Sequence, residues 1–142
     1  MKRKLISFIA LLATALLSVF CFVSCGGGTV MAEVVETTDA LVVIRVKETD
    51  EKATLFDAME VLKEENALQF ELAGTMLKSL NGKANSADFS SCWMLYTSDD
   101  EMGNSAWGTY DYNGTVYKSA TLGGEALIVS AGAYYVWVYV TF

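Results

Sequence analysis

The sequence predicts an α+β fold, a mixed sheet packed on one main helix. Three observations predict it. One stretch near the middle, residues 54–66, carries helical periodicity. Several short apolar runs alternate with period two, as half-buried strands do. The runs are separated by Asn-Gly, Gly-Gly and Asp-rich stretches, and the chain has no proline, so its turns rest on Gly, Asn, Asp and Ser.

The elements follow in chain order. Residues 29–35 are apolar and β-branched enough for a first strand. Residues 40–47 make a stronger one. Leu41, Val43 and Arg45 point one way and Val42, Ile44 and Val46 the other. Residues 36–39 are the turn of a hairpin between them. Thr54 is placed as a helix N-cap, with Asp57 three residues on closing a variant of the capping box. Leu55, Ala58, Met59 and Leu62 share one helix face, while Asp57, Glu60, Glu64 and Glu65 lie outside it. The helix is expected to end near Asn66. Residues 68–72 read as a short strand closing at Gly74, and residues 76–80 as another. Asn81-Gly82 is a tight-turn dipeptide. Residues 92–96 form a compact aromatic strand. A polar loop at 97–105 carries Asp99, Asp100 and Glu101. Residues 107–110 and 112–117 read as strand, turn and strand, and Gly123-Gly124 as a turn. Residues 127–129 and 134–142 are the last strands. The final run is nearly all apolar or aromatic, as in a strand covered on both faces.

The N-terminus is a different kind of segment. Lys2, Arg3 and Lys4 precede an apolar run over residues 5–23. A positive start, an apolar stretch and small residues at its end describe a secretory signal. Phe22-Val23-Ser24-Cys25 resembles the lipobox of a bacterial lipoprotein, with Phe22 where leucine is usual. Cys21 is the poorer candidate, because bulky Phe20 precedes it. A cysteine suits the site because its thiolate can take a diacylglycerol as a thioether. The expectation is a signal peptide over 1–24 and lipidation at Cys25. A glycine tether and first-strand region follow over 25–39, and a folded domain over 40–142. The protein would sit on the extracytoplasmic face of the cell membrane, held by lipid.

Composition excludes several functions. Ten basic residues face 17 acidic ones, and three of the basic residues lie in the leader. A surface this acidic repels phosphate backbones, which argues against nucleic acid, and it gives no polybasic attraction to lipid. There is no histidine, which removes Ser-His-Asp and Cys-His catalysis and the commonest transition-metal ligand. Of three cysteines, Cys92 alone remains in the domain, so neither an internal disulfide nor a cysteine cluster is available.

Several motifs occur in a telling order. Thr54-Leu55-Phe56-Asp57-Ala58 opens the helix; Gly74, Leu80-Asn81-Gly82 and Cys92-Trp93-Met94-Leu95-Tyr96 follow, then a glycine-bearing segment and a terminal apolar strand. This order resembles the domain at the C-terminus of transcobalamin and intrinsic factor, which also occurs as bacterial surface modules. The resemblance covers roughly residues 40–142. It implies a β-grasp-like fold, a sheet wrapped around one helix, and capture of a soluble ligand, cobalamin being the family's example. This chain lacks the helical partner domain that completes the cobalamin site in transcobalamin, and residues 97–107 are its own.

Candidate binding residues are the aromatics. Trp93 and Tyr96 differ by three in a strand and so face opposite sides; Trp93 fits a packing role best. Trp107, Tyr110, Tyr112 and Tyr117 surround glycines. They fit two roles, a face that stacks on a flat ligand or a cover for a glycine-rich sheet edge. The tentative ligand set is Trp93, Tyr96, Trp107, Tyr110 and Tyr112. Asp99, Asp100, Glu101 and Asn104 lack calcium-loop spacing and read as a solvated loop, so no metal is expected. Cys92 reads as a small hydrophobe. No activated nucleophile or acid–base pair is visible, and no cofactor is implied beyond cobalamin as a ligand. The reading is a non-catalytic binding module; a cell-surface module that docks another protein or a glycan is the alternative.

Overall fold

The computed structural model describes residues 28–142. The lipobox, Cys25 and the signal segment lie outside them. The element order is β1 (Val30–Thr37), β2 (Leu41–Thr49), α1 (Leu55–Glu64), β3 (Phe70–Ala73), β4 (Met76–Leu80), β5 (Lys83–Ala84), β6 (Ser91–Thr97), β7 (Gly103–Tyr112), β8 (Thr115–Ala120) and β9 (Tyr134–Thr141).

The expected α+β, β-grasp-like mixed sheet is corrected by these elements. Among the described residues, nine strands and one ten-residue helix make a mostly β fold. Six strands form one sheet in the order β1-β2-β9-β6-β8-β7, and β3-β4-β5 form a second. Every strand pairing is antiparallel. The physical reason lies in the connections. A parallel pair needs a crossover that returns to the same sheet. Here α1 leads from β2 into the other sheet, so no such unit forms. The terminal strand β9 then inserts between β2 and β6, antiparallel to both.

Local chemistry accounts for the elements. Thr54 caps α1: its Oγ1 accepts from the Asp57 backbone N–H, and an Asp57 carboxylate oxygen accepts from the Thr54 N–H at 2.8 Å. Asn81-Gly82 and Asn113-Gly114 both hold positive φ at two successive positions, the turn that matches the twist of a hairpin. β1 pairs with β2 along its length, and Val30 is buried. Residues 127–129 do not form the expected strand. They make a single bridge, Thr54 to Ile128, and plug the core with Leu127 and Val129. The Leu127 carbonyl accepts from the Leu55 N–H, which anchors the start of the helix.

The six-stranded sheet has a core on each face. On one face Val42, Ile44, Val46, Trp93, Tyr135 and Trp137 meet α1 and the small sheet. The helix contributes Leu55, Ala58, Met59 and Leu62, the spacing of a single apolar stripe. On the other face Val43, Val136 and Tyr117 are buried beneath half-buried Tyr96, Tyr110, Tyr112 and Tyr134. This second core exists because the β7–β8 hairpin folds over the sheet. β8 pairs with β6 at Tyr96 and Thr97 alone, so the hairpin is hinged at its base. Strands β1 and β7 are the two edges, and a flat sheet would separate them by roughly 24 Å at about 4.8 Å per strand. Yet Tyr112 Oη donates to Glu36 Oε2 at 2.6 Å, joining β7 to β1. That bond to a carboxylate raises the Tyr112 hydroxyl to about 12. Among the described residues, both cores and the strand pairing draw on β1 through β9, so residues 28–142 hold the packing that a folded unit needs.

Candidate functional site

Beside β6, three side chains fasten the small sheet to the large one. The Trp93 N–H donates to Asn85 Oδ1 at 2.9 Å, and its indole N–H donates to the Lys83 carbonyl at 2.8 Å. Asn85 Nδ2 donates to the Leu77 carbonyl at 2.7 Å. Tyr139 Oη donates to the Ala84 carbonyl, and its ring meets Trp93 edge-on at 5.3 Å. These bonds hold β4 and β5 beside β6 but leave a gap where β8 diverges. The gap is a groove of about 370 Å³.

Its floor holds Phe56, Leu77, Trp93, Leu95 and Trp137. Met76, Phe89 and Leu122 stand at its mouth, 50%, 48% and 45% exposed. Cys92 and Met94 lie along the strand edge, their sulfurs 3.8 Å apart. Gly123 and Gly124 form the far wall. Gly124 is required there: a Cβ would fall 2.3 Å from the Phe56 ring. Large apolar side chains clustered on a concave surface mark a binding site more often than a bare surface does.

Phe89 is held by design of the loop around it. The Asp88 carboxylate accepts from Ser86 Oγ at 2.9 Å, Ser90 N–H at 3.1 Å and Ser90 Oγ at 2.8 Å. Across its base the Ser86 N–H donates to the Ser91 carbonyl, and the Ser91 N–H donates to Ser86 Oγ. The loop forces Phe89 to φ 56°. Among the described residues, the other non-glycine residues with positive φ are Asn66, Asn81 and Asn113, a type that tolerates it. Phe89 does not, and strain of this kind collects at functional sites.

The hydroxyl and backbone N–H bonds from Ser90, with the hydroxyl of Ser86, hold the Asp88 carboxyl at about 2, below its ordinary 3.8. A carboxylate lowered in the folded state stabilises the loop above pH 3.8, and that support fades as pH falls toward about 2. Amide protection factors in residues 86–91 are expected to drop over that window, and in Asp88→Ala to be low already above it. Protection that stays flat through the window would contradict this role.

The sequence-predicted residues separate in space. Trp93 lines the groove. Tyr96, Tyr110 and Tyr112 lie on the opposite face in the second core, Tyr96 and Tyr110 with ring centroids 5.6 Å apart. Burial raises the hydroxyl of Tyr96 above its ordinary value. Trp107 joins neither group. It is 63% exposed in the irregular stretch of β7 between Asn104 and Thr109. The acidic loop is fastened to neighbouring segments: Lys118 Nζ of β8 meets Asp100 at 2.6 Å, and Ser130 Oγ donates to Asp99 at 2.7 Å. Among the described residues, no group of His, Cys, Asp and Glu is arranged to hold a metal ion. Nor is any helix there long and apolar enough to cross a membrane.

Phe56, Met76, Phe89, Leu122 and Trp137 were not singled out in sequence. Phe89 had a signal: a lone large apolar residue inside a Ser- and Asp-rich turn, with no periodic partner. A second hollow of about 330 Å³ lies between β1 and α1. Its lining includes Glu65 and the Glu33–Lys47 ion pair at 2.7 Å, so it offers less continuous apolar surface.

No known protein family, curated protein or solved structure matches the chain.

Proposed function

We propose that the chain is a lipid-anchored extracytoplasmic binding module, tied to the membrane at Cys25, whose groove beside β6 captures a small soluble ligand through apolar contacts. The observation that carries the reading is Phe89, a large aromatic held exposed at the groove mouth in a backbone conformation that aromatics avoid. The motif resemblance to the transcobalamin domain supports ligand capture as the class and makes a cobalamin-like corrinoid one ligand to try. No catalytic role is proposed, and no nucleic acid.

The test is a titration of residues 28–142 with Nile red, a neutral apolar fluorophore, and with cobinamide. Saturable binding of either, displaced by the other or lost in Leu122→Asp, is expected. The absence of saturable binding by both would overturn the ligand reading. The anchor is tested separately by intact mass of membrane-extracted protein, wild type against Cys25→Ser. A wild-type chain of full, unmodified mass would contradict lipidation.

One observation favours a second reading. Trp107, exposed and outside both cores, suits a cell-surface module that docks a protein or glycan by stacking. In that case Trp107→Ala would abolish capture of envelope components while leaving Nile red binding unchanged.

A further inference from the structure

We infer that the groove's ligand is a neutral, mainly apolar molecule with one hydrogen-bond acceptor, such as a ketone or amide carbonyl, received by the Trp137 indole N–H. This rests on the reading of the groove as a ligand site. Trp137 lines the groove and is 5% exposed. Among the described residues, its Nε1 is the buried side-chain nitrogen or oxygen that has no hydrogen-bond partner. Buried donors are almost always paired, so an orphan on a side chain that lines a groove points to a partner that comes from outside, admitted as the side chains around it shift. Two other side-chain N–H donors that line the groove are already used: the Trp93 indole by the Lys83 carbonyl, and Asn85 Nδ2 by the Leu77 carbonyl.

Charge narrows the class further. No lysine or arginine lines the groove, and one carboxylate, Glu125, does. An anionic head group would enter without a counter-charge and beside a like charge, in a chain whose acidic residues outnumber its basic ones, 17 to 10. The indole N–H is a donor only, so it selects an acceptor. The lining is mainly apolar, which selects hydrocarbon for most of the rest of the molecule.

The experiment uses residues 28–142 and three probes of similar size: 4-phenyl-2-butanone, propylbenzene and 4-phenylbutyrate. Competition against Nile red gives the affinities. In Trp137→Phe the ketone is expected to weaken roughly three- to tenfold, the range of one neutral hydrogen bond, with propylbenzene unchanged. The anion is expected to bind worse than the ketone. The wild type supplies an independent readout, because the chain has three tryptophans and hence three indole N–H signals. Saturating ketone is expected to move the Trp137 signal downfield, and propylbenzene is not. A Trp137 signal that ignores the bound ketone overturns the inference, as does equal loss of ketone and hydrocarbon in Trp137→Phe, or tightest binding by the anion. Those outcomes leave the groove as an apolar site. If none of the probes nor Nile red binds, the inference and the ligand reading fall together.

Discussion

Phe89→Gly is expected to lower affinity for Nile red by roughly ten- to a hundredfold without lowering the stability of the fold. The two halves of that expectation have separate causes. A phenyl ring that a ligand buries contributes about 1.5–3 kcal/mol of apolar transfer, and glycine supplies none of it. Phe89 sits at φ 56°, where a Cβ crowds the backbone and glycine does not. Relief of that strain is expected to raise stability by up to about 1 kcal/mol, offset in part by the chain freedom glycine brings to the unfolded state. Site residues that carry strain show this opposition between binding and stability; residues that only pack lose both together. Equilibrium denaturation beside a dye titration reads both quantities. A variant that binds normally would remove Phe89 from the site. One that unfolds more easily would show the ring to be structural.

Ile44→Ala is expected to destabilise the protein by about 3 kcal/mol, with a drop in Tm of roughly 10–20 °C. Ile44 is fully buried on β2, facing α1 and the small sheet. It lies between Val34 of β1 and Tyr135 of β9. The neighbouring elements are held by backbone ladders on both sides, so the cavity cannot collapse easily, and the cavity adds to the lost transfer energy. Val43→Ala, one residue away, removes less volume and acts on the other face, against Val136 and Tyr117. Its cost is expected to be smaller. Urea unfolding measures both; a loss below about 1 kcal/mol for Ile44→Ala would mean that the face against the helix is not the main core.

Much of the secondary structure was legible in the sequence because its causes are local. Thr54 and Asp57 marked the helix start, and the Leu55, Ala58, Met59, Leu62 stripe marked its buried face. Asn81-Gly82 marked a hairpin turn. The alternation in residues 40–47 assigned Val42, Ile44 and Val46 to one face and Val43 to the other, as found. What failed was the assembly. The pairing of β9 with β2 joins segments about ninety residues apart, and nothing local states which strand lies beside which. A mixed sheet was therefore expected where every pair is antiparallel. Residues 127–129 have the composition of a strand, but packing uses them as a plug with one bridge.

The groove was hidden for the same reason. Phe56 comes from the helix, Met76 from β4, Phe89 from a loop, Trp93 from β6, Leu122 from the segment after β8 and Trp137 from β9. Six separate stretches converge, and each alone looks like core or loop. The aromatics around Gly108 and Gly114 drew notice because they are neighbours in sequence. In the fold Tyr110 and Tyr112 serve to cover the sheet, since the hairpin that carries them folds onto Val43 and Val136.

The most direct test of the groove as the site is chemical-shift mapping. Backbone amide signals of residues 28–142 would be followed through a titration with 4-phenyl-2-butanone. The expected result is a single saturating set of shifts at Phe89, Trp93, Leu122 and Gly124, with Trp107, Tyr110 and Tyr112 unmoved. Shifts that saturate around Trp107 and the β7–β8 hairpin, with the groove silent, would contradict it.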